Sequence, residues 1–123
     1  MYSGPAVMNN NGMPTELNDP EAFERFLQDH PAAAVYFTRA GCNVCHVLRP
    51  RLEELFAHSF PRMGFAMVDA EAAPAVAGQQ RVFTVPTLLV FFDGDEALRK
   101  ARGISPMELA RELERPYALY FGG

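Results

Sequence analysis

The chain has only two cysteines, and they stand three apart in Cys42-Asn43-Val44-Cys45. Two thiols at that spacing can close a small disulfide ring or stand open as a dithiol, which is the chemistry of thiol–disulfide exchange. Exchange needs a thiolate, and a helix N-terminus favours one through its unpaired N–H groups and aligned backbone dipoles. The flanking residues supply that setting. Ala33-Ala34-Val35-Tyr36-Phe37-Thr38 reads as a buried strand, while Leu48, Leu52, Leu55 and Phe56 recur at helical spacing, so the pair opens a helix. Extending the stripe back through Cys45 turns that residue toward the core and leaves Cys42 at the exposed end. Cys42 is therefore the candidate nucleophile and Cys45 the candidate resolving thiol. The plainer alternative is a pair of inert buried thiols or a structural bridge, but a CxxC beside a βα pattern favours redox use.

Other chemistries fit the pair less well. Cys42-Asn43-Val44-Cys45-His46 also satisfies the CxxCH pattern of c-type haem attachment. That chemistry belongs with export, and residues 1–24 hold no Lys or Arg and no continuous apolar run of the kind a signal peptide carries. Two strongly β-like runs also sit badly with a small helical cytochrome. Zinc would need a tetrahedral set, yet His30, His46 and His58 bring neither a paired H-x₃₋₅-H nor a second CxxC, so no metal is expected. His46 reads as a surface residue at the rim of the pair.

With 49% hydrophobic and 21% charged residues and a net charge of −4, the 123 residues suit one globular domain that buries a core without disulfide staples. No basic run is longer than Arg99-Lys100, which argues against a nucleic-acid partner. No stretch approaches the ~20 apolar residues of a membrane span. The expected compartment is a reducing cytosol, where cysteines arranged for turnover fit better than a structural bridge. A monomer without a cofactor is expected.

Residues 1–14, with Asn9-Asn10-Asn11-Gly12 and two prolines, lack periodicity and read as a flexible tail before a domain spanning 15–123. Asp19 can cap a helix with Pro20 at its first position, and Phe23, Phe26 and Leu27 form its apolar face before Pro31 ends it. Strands are predicted at 33–38 and 65–69, then a weak helix over 72–80 in which Pro74 suits only the beginning. Asp93-Gly94 makes a hairpin turn between strands at 88–92 and 97–102. Ser105-Pro106-Met107-Glu108 is a capping box opening a last helix, with Met107, Ala110 and Leu113 expected inward. Pro116 is expected to interrupt that helix before Tyr117-Ala118-Leu119-Tyr120-Phe121. The order of elements predicts a parallel crossover followed by a hairpin, a mixed sheet with helices on both faces.

These marks together resemble the thioredoxin family: a CxxC at a strand-to-helix seam, Pro50 inside the following helix, Thr84-Val85-Pro86-Thr87 ahead of Leu88-Leu89-Val90-Phe91-Phe92, Asp93-Gly94, and Gly103. The resemblance covers about residues 15–113. It implies an α/β thioredoxin fold, with a central mixed sheet of four to five strands flanked by helices on both faces. It also implies a cis Val85–Pro86 bond facing the cysteines. Val85 would then offer its N–H and C=O to an extended peptide, with Gly41, Asn43 and Val44 as further substrate contacts. Pro50 has a physical reading of its own, because it cannot donate to the carbonyl of His46 and its ring crowds that group, kinking the helix past the cysteines.

The chain also departs from the family pattern. Thioredoxins carry Trp-Cys-Gly-Pro-Cys-Lys, whereas this chain carries Gly41-Cys42-Asn43-Val44-Cys45-His46 and no tryptophan. The family's buried aspartate, which assists the resolving thiol, falls at Tyr36, and its partner lysine falls near Phe65. Deprotonation of Cys45 would therefore run through solvent, His46 or the Cys42 thiolate, with Tyr36 a core aromatic more readily than a substitute acid. Three function classes remain. One is a thiol–disulfide oxidoreductase acting on disulfide-containing protein substrates, recharged by a reductase or by glutathione. Another is a glutathione-linked reductase similar to glutaredoxins in Thr84-Val85-Pro86, though no glycine pair follows. The third is a binding or chaperone module that keeps the fold without turnover.

Overall fold

A computed structural model describes residues 15–122, so the tail expected at 1–14 lies outside the described residues. The elements run β1 (Thr15–Glu16), α1 (Pro20–Asp29), β2 (Ala32–Thr38), α2 (Asn43–Ser59), β3 (Gly64–Asp69), α3 (Pro74–Gln79), β4 (Thr87–Phe92), β5 (Asp95–Ala101) and α4 (Pro106–Tyr120). The strands form one sheet in the order β1-β3-β2-β4-β5. β2 is parallel to β3 and antiparallel to β4, and β4 and β5 form an antiparallel hairpin.

Local sequence accounts for each boundary near the site. Asp19 caps α1, its side chain accepting from the Ala22 N–H at 2.8 Å, with Pro20 in the first turn where its missing donor costs nothing. β2 is buried along its whole length, which its uncharged Ala/Val/aromatic composition permits in a central strand covered on both faces. The β4–β5 turn places Asp93 at φ 54° and Gly94 at φ 82°, the two left-handed residues that a tight hairpin requires. Ser105 caps α4 by accepting from the Glu108 N–H.

The core has two layers. On one face, α1 and α3 pack Phe23, Leu27 and Val76 against Val35, Phe37, Val68 and Leu89. On the other, α2 and α4 pack Leu48, Leu52, Phe56, Leu109 and Leu113 against Ala34, Tyr36, Phe65 and Leu88.

The structure corrects three expectations. β1, which was not predicted, pairs with β3 through Thr15 and Glu16 alone. Met107 is 69% exposed, and Leu109 with Leu113 turns inward instead. The four-residue step from 109 to 113 follows one helix face, whereas the steps of three from 107 drift off it. Pro116 does not end α4, which runs on to Tyr120. Loss of one donor is outweighed by packing of the last turn: Tyr117 meets Phe60 edge-on at 5.0 Å, its hydroxyl accepts from the Arg62 N–H, and the Tyr120 hydroxyl donates to Asp93. The C-terminal aromatic segment is thus an extra turn packed against the core.

Candidate active site

β2 ends at Thr38, and a tight turn closed by the Cys42 N–H on the Arg39 carbonyl at 3.1 Å delivers the cysteines to the head of α2. Cys42 is the N-cap residue, in extended conformation, and its carbonyl accepts from the His46 N–H at 3.2 Å. Its Sγ accepts from the Cys45 N–H at 3.1 Å, so the sulfur takes the place that a serine or aspartate oxygen fills at an ordinary helix start. Cys42 and Cys45 are joined as a disulfide, their Cα atoms 5.3 Å apart. Cys42 retains 9% exposure and Cys45 none. Gly41, Asn43 and Val44, next to the cysteines in the chain, are exposed, and Val44 and Val47 are well exposed for aliphatic residues.

Tyr36 lies beneath the pair, fully buried, and its hydroxyl donates to the Cys45 carbonyl at 2.9 Å. Burial pushes its pKa up to about 12, against a smaller opposing pull from the charge of Arg49. The Tyr36 proton faces a backbone oxygen in this arrangement. His46 is exposed and folds back over the preceding loop, its Nε2 donating to the Ala40 carbonyl at 2.9 Å.

The proline loop reaches the same end of the sheet through strand register. Phe37 pairs with Thr87, so the segment leaving β2 toward Cys42 and the segment entering β4 from Pro86 lie side by side. The Thr87 hydroxyl ties the loop by donating to the Thr84 carbonyl at 2.7 Å, and the Val85–Pro86 bond is cis. Val85 is half-buried and Pro86 buried. The Arg102 N–H, just past β5, donates to the Pro86 carbonyl at 3.1 Å and brings a third loop to the site.

Two concavities flank this end. One of about 580 Å³ runs between Arg39, Pro74, Phe83 and Val85. The other, about 390 Å³, lies between the start of α2 and residues 102–104. The lining residues Arg39, Phe83, Arg102 and Ile104 escaped sequence reasoning, although Gly103 stands among the family marks. Among the described residues, no three His, Cys, Asp or Glu side chains gather as a metal site requires, and no helix is long and apolar enough to cross a membrane.

A cysteine pair capping a helix on a mixed sheet, beside a proline loop, defines an oxidoreductase site of the thiol–disulfide class. A thioredoxin family profile matches residues 14–115. The sequence is 39% identical over 108 residues to the thioredoxin-like protein YdfQ of Bacillus subtilis strain 168, covering 88% of this chain and 96% of that protein. It is 26% identical over 104 residues to the bifunctional thioredoxin reductase/thioredoxin of Mycobacterium leprae strain TN, covering 85% of this chain and 23% of that protein. The X-ray structure of Fasciola hepatica thioredoxin shares the fold at TM-score 0.75 and 24% identity, covering 82% of this chain and 97% of that one. The chain belongs to the thioredoxin family.

Proposed function

We propose that the protein reduces disulfides in protein substrates with its Cys42–Cys45 dithiol. The observation that carries this reading is the difference between the two sulfurs: Cys42 caps α2 and keeps 9% exposure, while Cys45 is fully buried one turn further in. In the reduced state the Cys42 thiolate is stabilised by the helix head and by the Cys45 N–H. It attacks one substrate sulfur, and the other leaves as a thiolate that takes up a proton. Cys45, deprotonated in turn, attacks Cys42 Sγ and expels the second substrate sulfur. The substrate gains two electrons and two protons, and the protein is left as the disulfide seen in the structure.

Substrate capture falls to Val85 and Pro86, with Gly41, Asn43 and Val44 around the sulfur. Among the described residues, neither backbone group of Val85 has a hydrogen-bond partner, which leaves both for an extended peptide. Recharging by a reductase accords with the fused reductase of the Mycobacterium relative, and a cytosolic setting would keep the dithiol reduced. Resolution is expected to be slow. Tyr36 holds its proton to about pH 12 and directs it to a carbonyl, so deprotonation of Cys45 runs through solvent, through His46 at the rim, or through the thiolate of Cys42.

The exposure of Val44, Val47 and Phe83 favours a second reading, a holding module that binds apolar segments without turnover. Insulin reduction coupled to dithiothreitol separates the two. Multiple turnovers abolished by Cys42→Ser support the reductase, and binding without reduction supports the module.

A further inference from the structure

We infer that the groove beside the disulfide selects substrates carrying an acidic side chain next to an apolar residue near their reducible cysteine, an inference that rests on the reductase reading above. The groove is lined by the apolar Val44, Val47, Leu48 and Ile104 together with Arg51 and Arg102. Asn43, inside the CxxC ring, also lines it, so the groove begins at the residue next to Cys42. No carboxylate lines it, and among the described residues neither arginine forms an ion pair, whereas Arg49, Arg99 and Lys100 each have a glutamate within 4 Å. Two cations without a carboxylate among the groove's lining make it locally positive in a chain of net charge −4.

Arg102 carries a second indication. It sits at φ 62°, a left-handed conformation that disfavours every residue with a Cβ, immediately before a glycine that could take that turn freely. Its N–H is fastened to the Pro86 carbonyl, so the base of the side chain is fixed against the proline loop, and the residue lines the groove. Arg51 lines the same groove from α2, nearly two turns past Cys45. An apolar side chain packed on Val44 and Val47 would bring a neighbouring carboxylate within reach of these arginines, whose guanidinium groups suit planar carboxylate recognition. Exposed pairs of this kind contribute about two- to fivefold each.

The test mixes reduced protein with homodisulfides of three end-capped peptides, Ala-Cys-Leu-Glu-Ala, Ala-Cys-Leu-Gln-Ala and Ala-Cys-Leu-Lys-Ala. Protein oxidation is followed by rapid-quench mass spectrometry, and each rate is divided by that of dithiothreitol on the same peptide. The Glu peptide should lead the Lys peptide by roughly five- to tenfold at low salt, with Gln between, and the ratio should shrink at high salt. The Arg51→Glu/Arg102→Glu variant should invert the order, a gain that misfolding would not mimic. Arg102→Gly, which suits the left-handed backbone, should lower the Glu-to-Lys ratio while thermal unfolding stays cooperative. Equal normalised rates in the wild type, or a ratio the double variant leaves intact, would overturn the groove's selectivity alone. Absence of oxidation by any peptide, with both thiols titrating as free, would bring down the reductase reading and this inference with it.

Discussion

The two core clusters, one on each face of the sheet, bury similar sets of side chains, and their fully buried members differ in one hydroxyl. Under α1 and α3, Val35, Phe37, Val68 and Leu89 present hydrocarbon alone to Phe23, Leu27 and Val76. Under α2 and α4, Tyr36 adds a hydroxyl, which closes on the carbonyl of Cys45. A buried hydroxyl must find a partner, and this one finds it on the helix that holds the reactive pair. The first face is therefore scaffold, filled by volume. The second also couples the core to the first turn of α2, in the place where thioredoxins carry an acid.

The largest effect expected concerns the helix above the second face. Cys42→Ser should abolish insulin reduction, whereas Cys45→Ser should trap a mixed disulfide that survives non-reducing electrophoresis. Trapping by Cys42→Ser instead would reverse the assigned roles. Next come core substitutions that set the faces against each other. Tyr36→Asp should destabilise the fold by about 3–5 kcal/mol, through the cavity and the desolvated carboxyl, yet speed resolution of the mixed disulfide near neutral pH. Leu89→Ala should cost about 2–5 kcal/mol in urea unfolding without accelerating resolution. If both variants accelerate it, the faces do not differ in the way described.

A smaller effect is alkaline. The Tyr36 proton is held to about pH 12 in the folded protein against 10.0 for an ordinary tyrosine. Because the folded protein binds this proton more tightly, the associated stability is complete below pH 10 and is lost as pH rises from 10 toward 12. The loss amounts to about 2–3 kcal/mol. Urea midpoints across that window should fall more steeply in the wild type than in Tyr36→Phe. Tyr120, whose pKa is raised by its bond to Asp93, contributes equally to both proteins. The smallest effect is that of Tyr36→Phe itself at neutral pH, a loss of about 1 kcal/mol from one hydrogen bond, read from the same midpoints.

Much of the fold was legible because local signals agreed with the tertiary outcome. Asp19 and Ser105 cap the helices they were expected to cap, Asp93-Gly94 makes the hairpin, and the uncharged run at 33–38 becomes the central strand. β1 was illegible because two residues cannot display an alternation, and Met107 was misplaced because a stripe with steps of three drifts around a helix. Pro116 misled because packing of Tyr117 and Phe121 against Phe60 and Arg62 outweighs a local helix breaker. Within the site, the two cysteines at a helix head could be read directly, whereas the proline loop facing them was implied by the family resemblance and not by the spacing. The bond from Tyr36 to the Cys45 carbonyl could not, since it depends on how α2 lies across β2. The juxtaposition of Arg51 with Arg102 follows from the sheet order β2-β4-β5, which no short-range pattern encodes.

The most direct measurement is an acid-quench time course of reduced wild-type protein with insulin, analysed by peptide mass mapping across the neutral pH range. A mixed disulfide linked through Cys42 should accumulate, and it should decay faster as pH rises and Cys45 loses its proton. Linkage through Cys45 would contradict Cys42 as the attacking thiol, and insulin reduction at full speed with no detectable intermediate, or an intermediate whose decay does not change with pH, would contradict Cys45 as a resolving thiol without a buried acid.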